Sequence, residues 1–493
     1  MLVSRRPRLA RTVRWCTNTR SGALIPTARE RAGSPVGVVS ALLIVILSYS
    51  IMQGMVIPAI PGIASAYAID VTTATWVLSG NLAMTAVAVP LLGRLGDIFG
   101  RRRVLLVTLL IYAAGSILAA VAPTFPLLVA ARVVQGVGGG VFALSYGLAR
   151  EWVRPESRTR AVGILAVSVG FGGMIGLPLG GLVLDYGPYA WIMWSSLGMA
   201  LVAIAAVLVV VPRHGLRTPS RLDLRGAALL AVVVALPLFI LARLGKSGSA
   251  DVVFAFLVAI VAIAVTVFVR VEQSTLAPMI DITLARSRQL VVANTVSLLV
   301  GFGNFAIMVQ VPLLAQAQGA GLGVDAMTSG LLLLPGSLML LPIGFVVGRL
   351  SGALGNRTVL VLGGALSTAG FLSLALWHDT RLSLILGVVV VFSGIGFSFA
   401  TSVNIVVQSV PAAQTGEATG VNALLRIFGS AIGAPITIGI MSVGAVEGVS
   451  HVPVLVGGSV TAAFVFLAFV MAFAGALALA LRPSESDLVG RSH

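Results

Sequence analysis

From about residue 38 to residue 480 the chain alternates long apolar stretches with short polar turns. An α-helix needs about 20 apolar residues to cross a bilayer. Fourteen such stretches can be marked, with cores at 38–58, 72–92, 104–122, 125–147, 161–183, 190–211, 226–243, 252–269, 290–313, 329–347, 358–376, 383–403, 419–442 and 457–480. Nothing between them is long enough for a soluble domain. The pattern predicts an all-α integral membrane protein with fourteen transmembrane helices. One turn occurs twice. Gly93-Arg-Leu-Gly-Asp-Ile-Phe-Gly-Arg-Arg-Arg103 has a degraded copy, Gly348-Arg-Leu-Ser-Gly-Ala-Leu-Gly-Asn-Arg357, 255 residues later. Duplication of a basic turn inside an apolar chain points to a transporter built from two related halves.

Composition agrees. The chain is 58% hydrophobic and 10% charged, with mean hydropathy +1.06, whereas soluble domains carry roughly 25% charge. Net charge +16 would suggest nucleic acid in a soluble protein. Placement says otherwise. Of 32 Lys and Arg, 27 fall in the tails and one alternating set of turns, three (Arg243, Lys246, Arg381) on the other side, and two (Arg132, Arg426) within spans. By the positive-inside rule both termini are cytoplasmic, which requires an even number of spans. Cys16 is the only cysteine, so no disulfide framework or thiolate metal site exists. No phosphate-binding loop occurs, and neither an enzyme activity nor a cofactor is expected. The first 35 residues hold eight Arg, one acid and no apolar run. They are not a signal peptide; a disordered cytoplasmic tail, a start codon placed too early and an organelle transit peptide stay open.

The first turn resembles the loop between helices two and three of the major facilitator superfamily, and the wider chain resembles its fourteen-helix drug:proton antiporter branch. Ala131-Arg132-Val133-Val134-Gln135-Gly136 resembles that family's fourth-helix motif. Gly172 and Gly176-Leu177-Pro178-Leu179-Gly180-Gly181 resemble its fifth-helix antiporter motif. Trp76-Val77-Leu78 and the stretch Gly420 to Gly429 also fit. The resemblance implies a cytoplasmic tail (1–37), a six-helix bundle (38–212), two extra central helices with linkers (213–288), a second six-helix bundle (289–481) and a cytoplasmic tail (482–493). Residues 272–288 read as an interfacial helix or loop. Three departures stand out. Leu177 displaces Pro178 by one position, Met52 stands beside Gln53 where the family's first helix carries Asp, and Asn81 replaces a Tyr.

In the turn, Gly93, Gly96 and Gly100 permit reversal and close helix approach. Arg101 to Arg103 would anchor topology in any membrane protein; they do not account for Asp97. The resemblance implies that Asp97 and Arg101 latch the bundles in the outward-facing state, one-sidedly, since Gly352 stands at the equivalent of Asp97. All sixteen acids and four His fall in tails, loops or span ends, so no mid-bilayer group is available to carry a proton. Arg132 and Arg426 remain inside. A partnerless Arg costs ~2.5–3.5 kcal/mol there. Each braces helix packing through carbonyls or amides (Gln135, Asn422), or charges a cavity; Asp70 and Asp185 are possible acids for Arg132. His378-Asp379 reads as a solvated turn. Candidate cavity groups are Tyr49, Gln53, Trp76, Asn81, Asn294, Asn304, Gln310, Asn404 and Gln408, with helix–helix hydrogen bonding as the alternative for each. Gly172, Gly176, Pro178, Gly180 and Gly181 read as a hinge of helix five.

The expected function is secondary active efflux of drugs or small amphiphilic metabolites by alternating access. Two rivals are an exporter of anionic amphiphiles or lipids without an intramembrane proton site, and a non-transporting sensor or scaffold. Expected partners are a neutral or anionic amphiphilic small molecule, the bilayer and protons, with no nucleic acid, a functional monomer and a bacterial plasma-membrane location.

Overall fold

The protein's structure, a computed structural model, describes residues 35–212, 252–274, 287–319, 321–410, 415–441 and 457–481, with short stretches within 225–237 and 446–455. Among these residues twelve helices are long and apolar enough to cross a membrane. The first six are α1 (Val36–Ala66), α2 (Val71–Phe99), α3 (Arg101–Ala120), α4 (Phe125–Trp152), α5 (Ala161–Tyr186) and α6 (Ala190–Val210). The second six are α7 (Arg288–Gln316), α8 and α9 (326–354 and 356–376), α10 (Arg381–Gln408), α11 (Ala418–Met441) and α12 (Gly457–Ala480). Of the two further spans expected between α6 and α7, Val252–Ser274 is helical, while half of 226–243 lies outside the described residues. Of 272–288, expected as an interfacial helix or loop, Glu272 to Ser274 complete that helix with the Glu272 side chain buried. Residues 1–34, 275–286 and 482–493 also fall outside.

Local chemistry sets the ends. Asp70 caps the entry to α2 by accepting from Thr73 N at 2.7 Å, Ser287 caps α7 and Asp325 caps α8. Thr380 and Ser383 form a reciprocal capping box on α10. The duplicated turns reverse at Gly100 (φ 95°) and Gly355 (φ 79°), a region glycine enters without steric cost. These turns define one face of the molecule, the hairpin face. On the opposite face, Gln318–Gly319 pairs parallel with Pro453–Leu455, which pairs antiparallel with Val446–Glu447.

The bundle interiors are filled by aromatic and aliphatic groups. Tyr49 meets Tyr112 and Phe142 edge-to-face at 5.6 Å in the first, and Phe302 meets Phe466 at 6.1 Å in the second. Large apolar side chains such as Val209 and Phe469 point outward, as lipid-facing residues must. Between the bundles, α5 packs on α8 and Gln316 Nε2 reaches Pro58 O (3.4 Å) on the opposite face. Deeper in, Ala86 and Val87 of α2 cluster with Leu424 of α11, and Leu230 and Phe268 of the inserted segment cover that seam.

Candidate functional site

At the hairpin face, Arg101 ties three helices of the first bundle. Its Nη2 lies 2.8 Å from Asp97 and its Nη1 3.5 Å from Glu151, and Nη1 also donates to Gly147 O at 3.2 Å. Gly147 is needed because a side chain there would occupy the guanidinium's place; Gly96 is hemmed in by Leu144, while Gly93 has room for a methyl. Asp97 and Arg101 therefore meet as expected, but within one bundle in this conformation. Glu151 and Gly147 were not anticipated. Their only sequence signal is an acid placed beside Arg150 at the end of α4.

The second turn has a neutral counterpart. Asn356 Nδ2 donates to Gln408 Oε1 (2.7 Å), Asn404 Nδ2 donates to Asn356 Oδ1 (3.0 Å) and Gln408 Nε2 to Asn404 Oδ1 (3.3 Å). Asn404 and Gln408 thus hydrogen-bond between helices at the hairpin face, because α9 and α10 bring three amides together there.

On the opposite face, the helix-five glycines divide. Added side chains at Gly172, Gly176 and Gly180 would strike Ser50, Ile51 and Met55 of α1, whereas one at Gly181 would strike Met327 of α8. Gly330 of α8 lies against the backbone of Leu177 and Pro178. The displaced proline therefore sits at the seam between bundles. Beside it, Asp185 lies close to the Asp325 carboxyl and to the backbone N–H groups of Ala326 and Met327. Hydrogen bonding from Thr328 holds the Asp325 carboxyl below its ordinary range.

Arg132 is fully buried. Its Nε donates to Val77 O at 3.1 Å; Nη1 reaches Met52 Sδ at 2.9 Å and also Gln135 Oε1, and Nη2 lies 3.5 Å from Gln53 Oε1. Gln135 Nε2 continues to Ser116 Oγ (2.8 Å) and Ser196 Oγ (2.9 Å). One guanidinium thus joins five helices of the first bundle. Met52 and Gln53, singled out by the family resemblance, are both its neighbours. Asp70 is occupied by its cap, and Asp185 by the α8 seam, so neither acid is given to Arg132.

Arg426 differs. It is half-buried, its Cζ lies 4.6 Å over the Phe399 ring, and its Nε is buried with no hydrogen-bond partner. Tyr146 of the first bundle lies within electrostatic reach. The two ion pairs described both belong to Arg101.

The other groups expected to line a cavity differ in burial and partners. Asn81 is fully buried, accepting from Tyr49 OH (3.0 Å) and donating to Arg132 O (3.0 Å). Asn294 accepts from Asn422 Nδ2 at 3.0 Å in a buried network with Ser297 and Ser402. Gln310 is buried with both amide atoms unpaired. Trp76, Gln53 and Asn304 are half-buried; the Asn304 amide points toward Met308 Sδ at 3.8 Å. His378 is not solvated, as expected, but buried against Phe464 with Nδ1 3.0 Å from Leu374 O, because α9 unwinds under α12.

Residues 42–434 match the Major Facilitator Superfamily family model. An uncharacterized MFS-type transporter of Mycobacterium tuberculosis is 30% identical over 422 residues, covering 83% of this chain and 60% of that one. The chain thus spans about three fifths of that relative's length. The multidrug efflux pump LfrA of Mycolicibacterium smegmatis is 30% identical over 394 residues, 76% of this chain and 74% of the pump. A triacylglyceride transporter of Mycolicibacterium hassiacum is 28% identical over 379 residues, 73% and 70% of the two chains. Among solved structures, the human organic anion transporter MFSD10 superposes with a TM-score of 0.59 at 16% identity, over 90% of this chain and 99% of that one.

Proposed function

Because this chain belongs to the major facilitator superfamily, we propose that it exports small amphiphilic molecules by alternating access. The observation that carries the reading is the split of the gating elements. Gly181 and Gly330 let α5 and α8 close on the opposite face, while the Asp97–Arg101–Glu151 cluster sits on the hairpin face inside one bundle. With the Arg-rich turns in the cytoplasm, this conformation is closed outside, and the hairpin latch engages in the other state. Relatives named for multidrug efflux support the direction and the breadth of substrate.

Arg132 is the brace of the first bundle, since its donors are used up internally. The protonatable element is the Asp185–Asp325 pair. Two carboxyls this close favour holding a proton between them, and they lie on opposite sides of the seam that opens outward. Loading cells that express or lack the gene with fluorescent amphiphilic dyes tests the reading: faster efflux is expected with the chain present, and equal efflux and equal resistance to toxic amphiphiles would leave only a sensor or scaffold.

A further inference from the structure

Two arginines lie inside the spans, and they are partnered differently. Arg132 spends its donors on Val77 O, Met52, Gln135 and Gln53. Arg426 has a buried Nε without an acceptor, and no carboxylate is paired with it among the described residues. Its position is fixed from behind. Gly301 of α7 lies against the Arg426 backbone, and Ser430 Oγ bridges Arg426 O (3.0 Å) and Gly301 O (3.1 Å). The guanidinium Cζ lies 4.6 Å over the ring of Phe399 of α10, and Tyr146 of the other bundle stands within electrostatic reach. Arg426 and Tyr146 lie about two helical turns from the hairpin face on α11 and α4. A cation with an unsatisfied buried donor, presented between bundles beside two aromatic groups, is short of one thing: an anion with an apolar, flat body.

We propose that Arg426 is the anion-binding residue of the path between the bundles, and that its ligand is a lipophilic monoanion bearing an aromatic ring. The anionic group accepts from the guanidinium, whose Nε has no other acceptor, and the ring packs beside Phe399 and Tyr146. The site rests on the transport reading for its place on the substrate path. Its readout is binding alone, so a chain that binds through Arg426 yet exports nothing keeps the site and loses that reading.

The test uses the full chain in lipid nanodiscs, with empty nanodiscs as the baseline. The probes are anilinonaphthalene sulfonate and its neutral parent phenylnaphthylamine, which differ by the anionic group. Arg426→Gln should weaken sulfonate binding about ten-fold or more and leave the neutral amine within about two-fold. Arg426→Lys should recover part of the loss, because charge returns without the planar stack. Unchanged sulfonate affinity in Arg426→Gln, or an equal fall for both probes, overturns the proposal. A second measurement needs no variant. On the wild-type chain naphthoate should displace the sulfonate and naphthamide should not; equal displacement by both also overturns it.

Discussion

At the scale of single residues, the two membrane arginines show how partnering, not burial, separates a brace from a site. Removing Arg132 leaves Val77 O, Gln135 and Gln53 without their donor in a dry interior. Arg132→Leu should therefore cost about 2–3 kcal/mol, read as a lower melting temperature of the purified protein in detergent. Arg426→Gln should cost less than about 1 kcal/mol, because no acceptor is stranded. Equal destabilisation by the two would remove the distinction. The sequence could reveal Arg132's surroundings in part: the family resemblance singles out Met52, and that residue does touch the guanidinium. It could not reveal that the Arg426 Nε lacks an acceptor. That lack depends on what α4, α7 and α10 fail to place beside it, and pairing across helices leaves no local spacing to read. The same holds for Glu151, an acid at the end of a span until the fold brings it to Arg101.

At the scale of elements, apolar length was sufficient to find the twelve described spans, because a membrane helix is defined by its own composition. Helix pairing was less legible. The glycines of α5 form one motif in the sequence and two surfaces in the fold. Gly172 faces α1 within its bundle, so Gly172→Leu should block folding and lower the yield of inserted protein. Gly181 faces α8 across the seam, so Gly181→Leu should insert normally and hold the opposite face open. Thiol-reactive probes at cysteines placed along α8 measure this; unaltered labelling in Gly181→Leu would place the seam elsewhere. The duplicated turns diverge in the same way. The first holds Asp97, Arg101 and Glu151, the second Asn356, Asn404 and Gln408. Charged hydrogen bonds are stronger than those between amides, so the two ends of the hairpin face are not equally tight. Asp97→Asn should abolish export while topology, set by the flanking arginines, stays normal. Matching export at equal expression would exclude a latch on the charged side.

For the whole molecule, charge placement and gating make one argument. Reporter fusions at residues 220 and 490 should read cytoplasmic and those at 186 and 379 external; a reversed result would exchange the two faces. With that orientation, the seam that carries Asp185 and Asp325 opens to the outside. Thr328 keeps Asp325 below its ordinary range, so the Asp325 carboxylate is ionised at neutral pH and loses its cap bond only as the outside becomes strongly acidic. Short of that acidity, the pair can take up one proton with Asp325 still capping α8, which neutralises like-charge repulsion and favours closure of α5 on α8. The measurement is dye efflux from vesicles under an imposed pH gradient and, separately, an imposed potential. Wild-type efflux should respond to the pH gradient, and Asp185→Asn, which removes the repulsion permanently, should be active but insensitive to it. Asp325→Ala loses the cap as well as the charge, so it should be slower in both regimes. Full pH-gradient dependence surviving in both variants would move the proton site to another group, and Gln310, buried with two unpaired amide atoms, cannot be that group because an amide does not titrate.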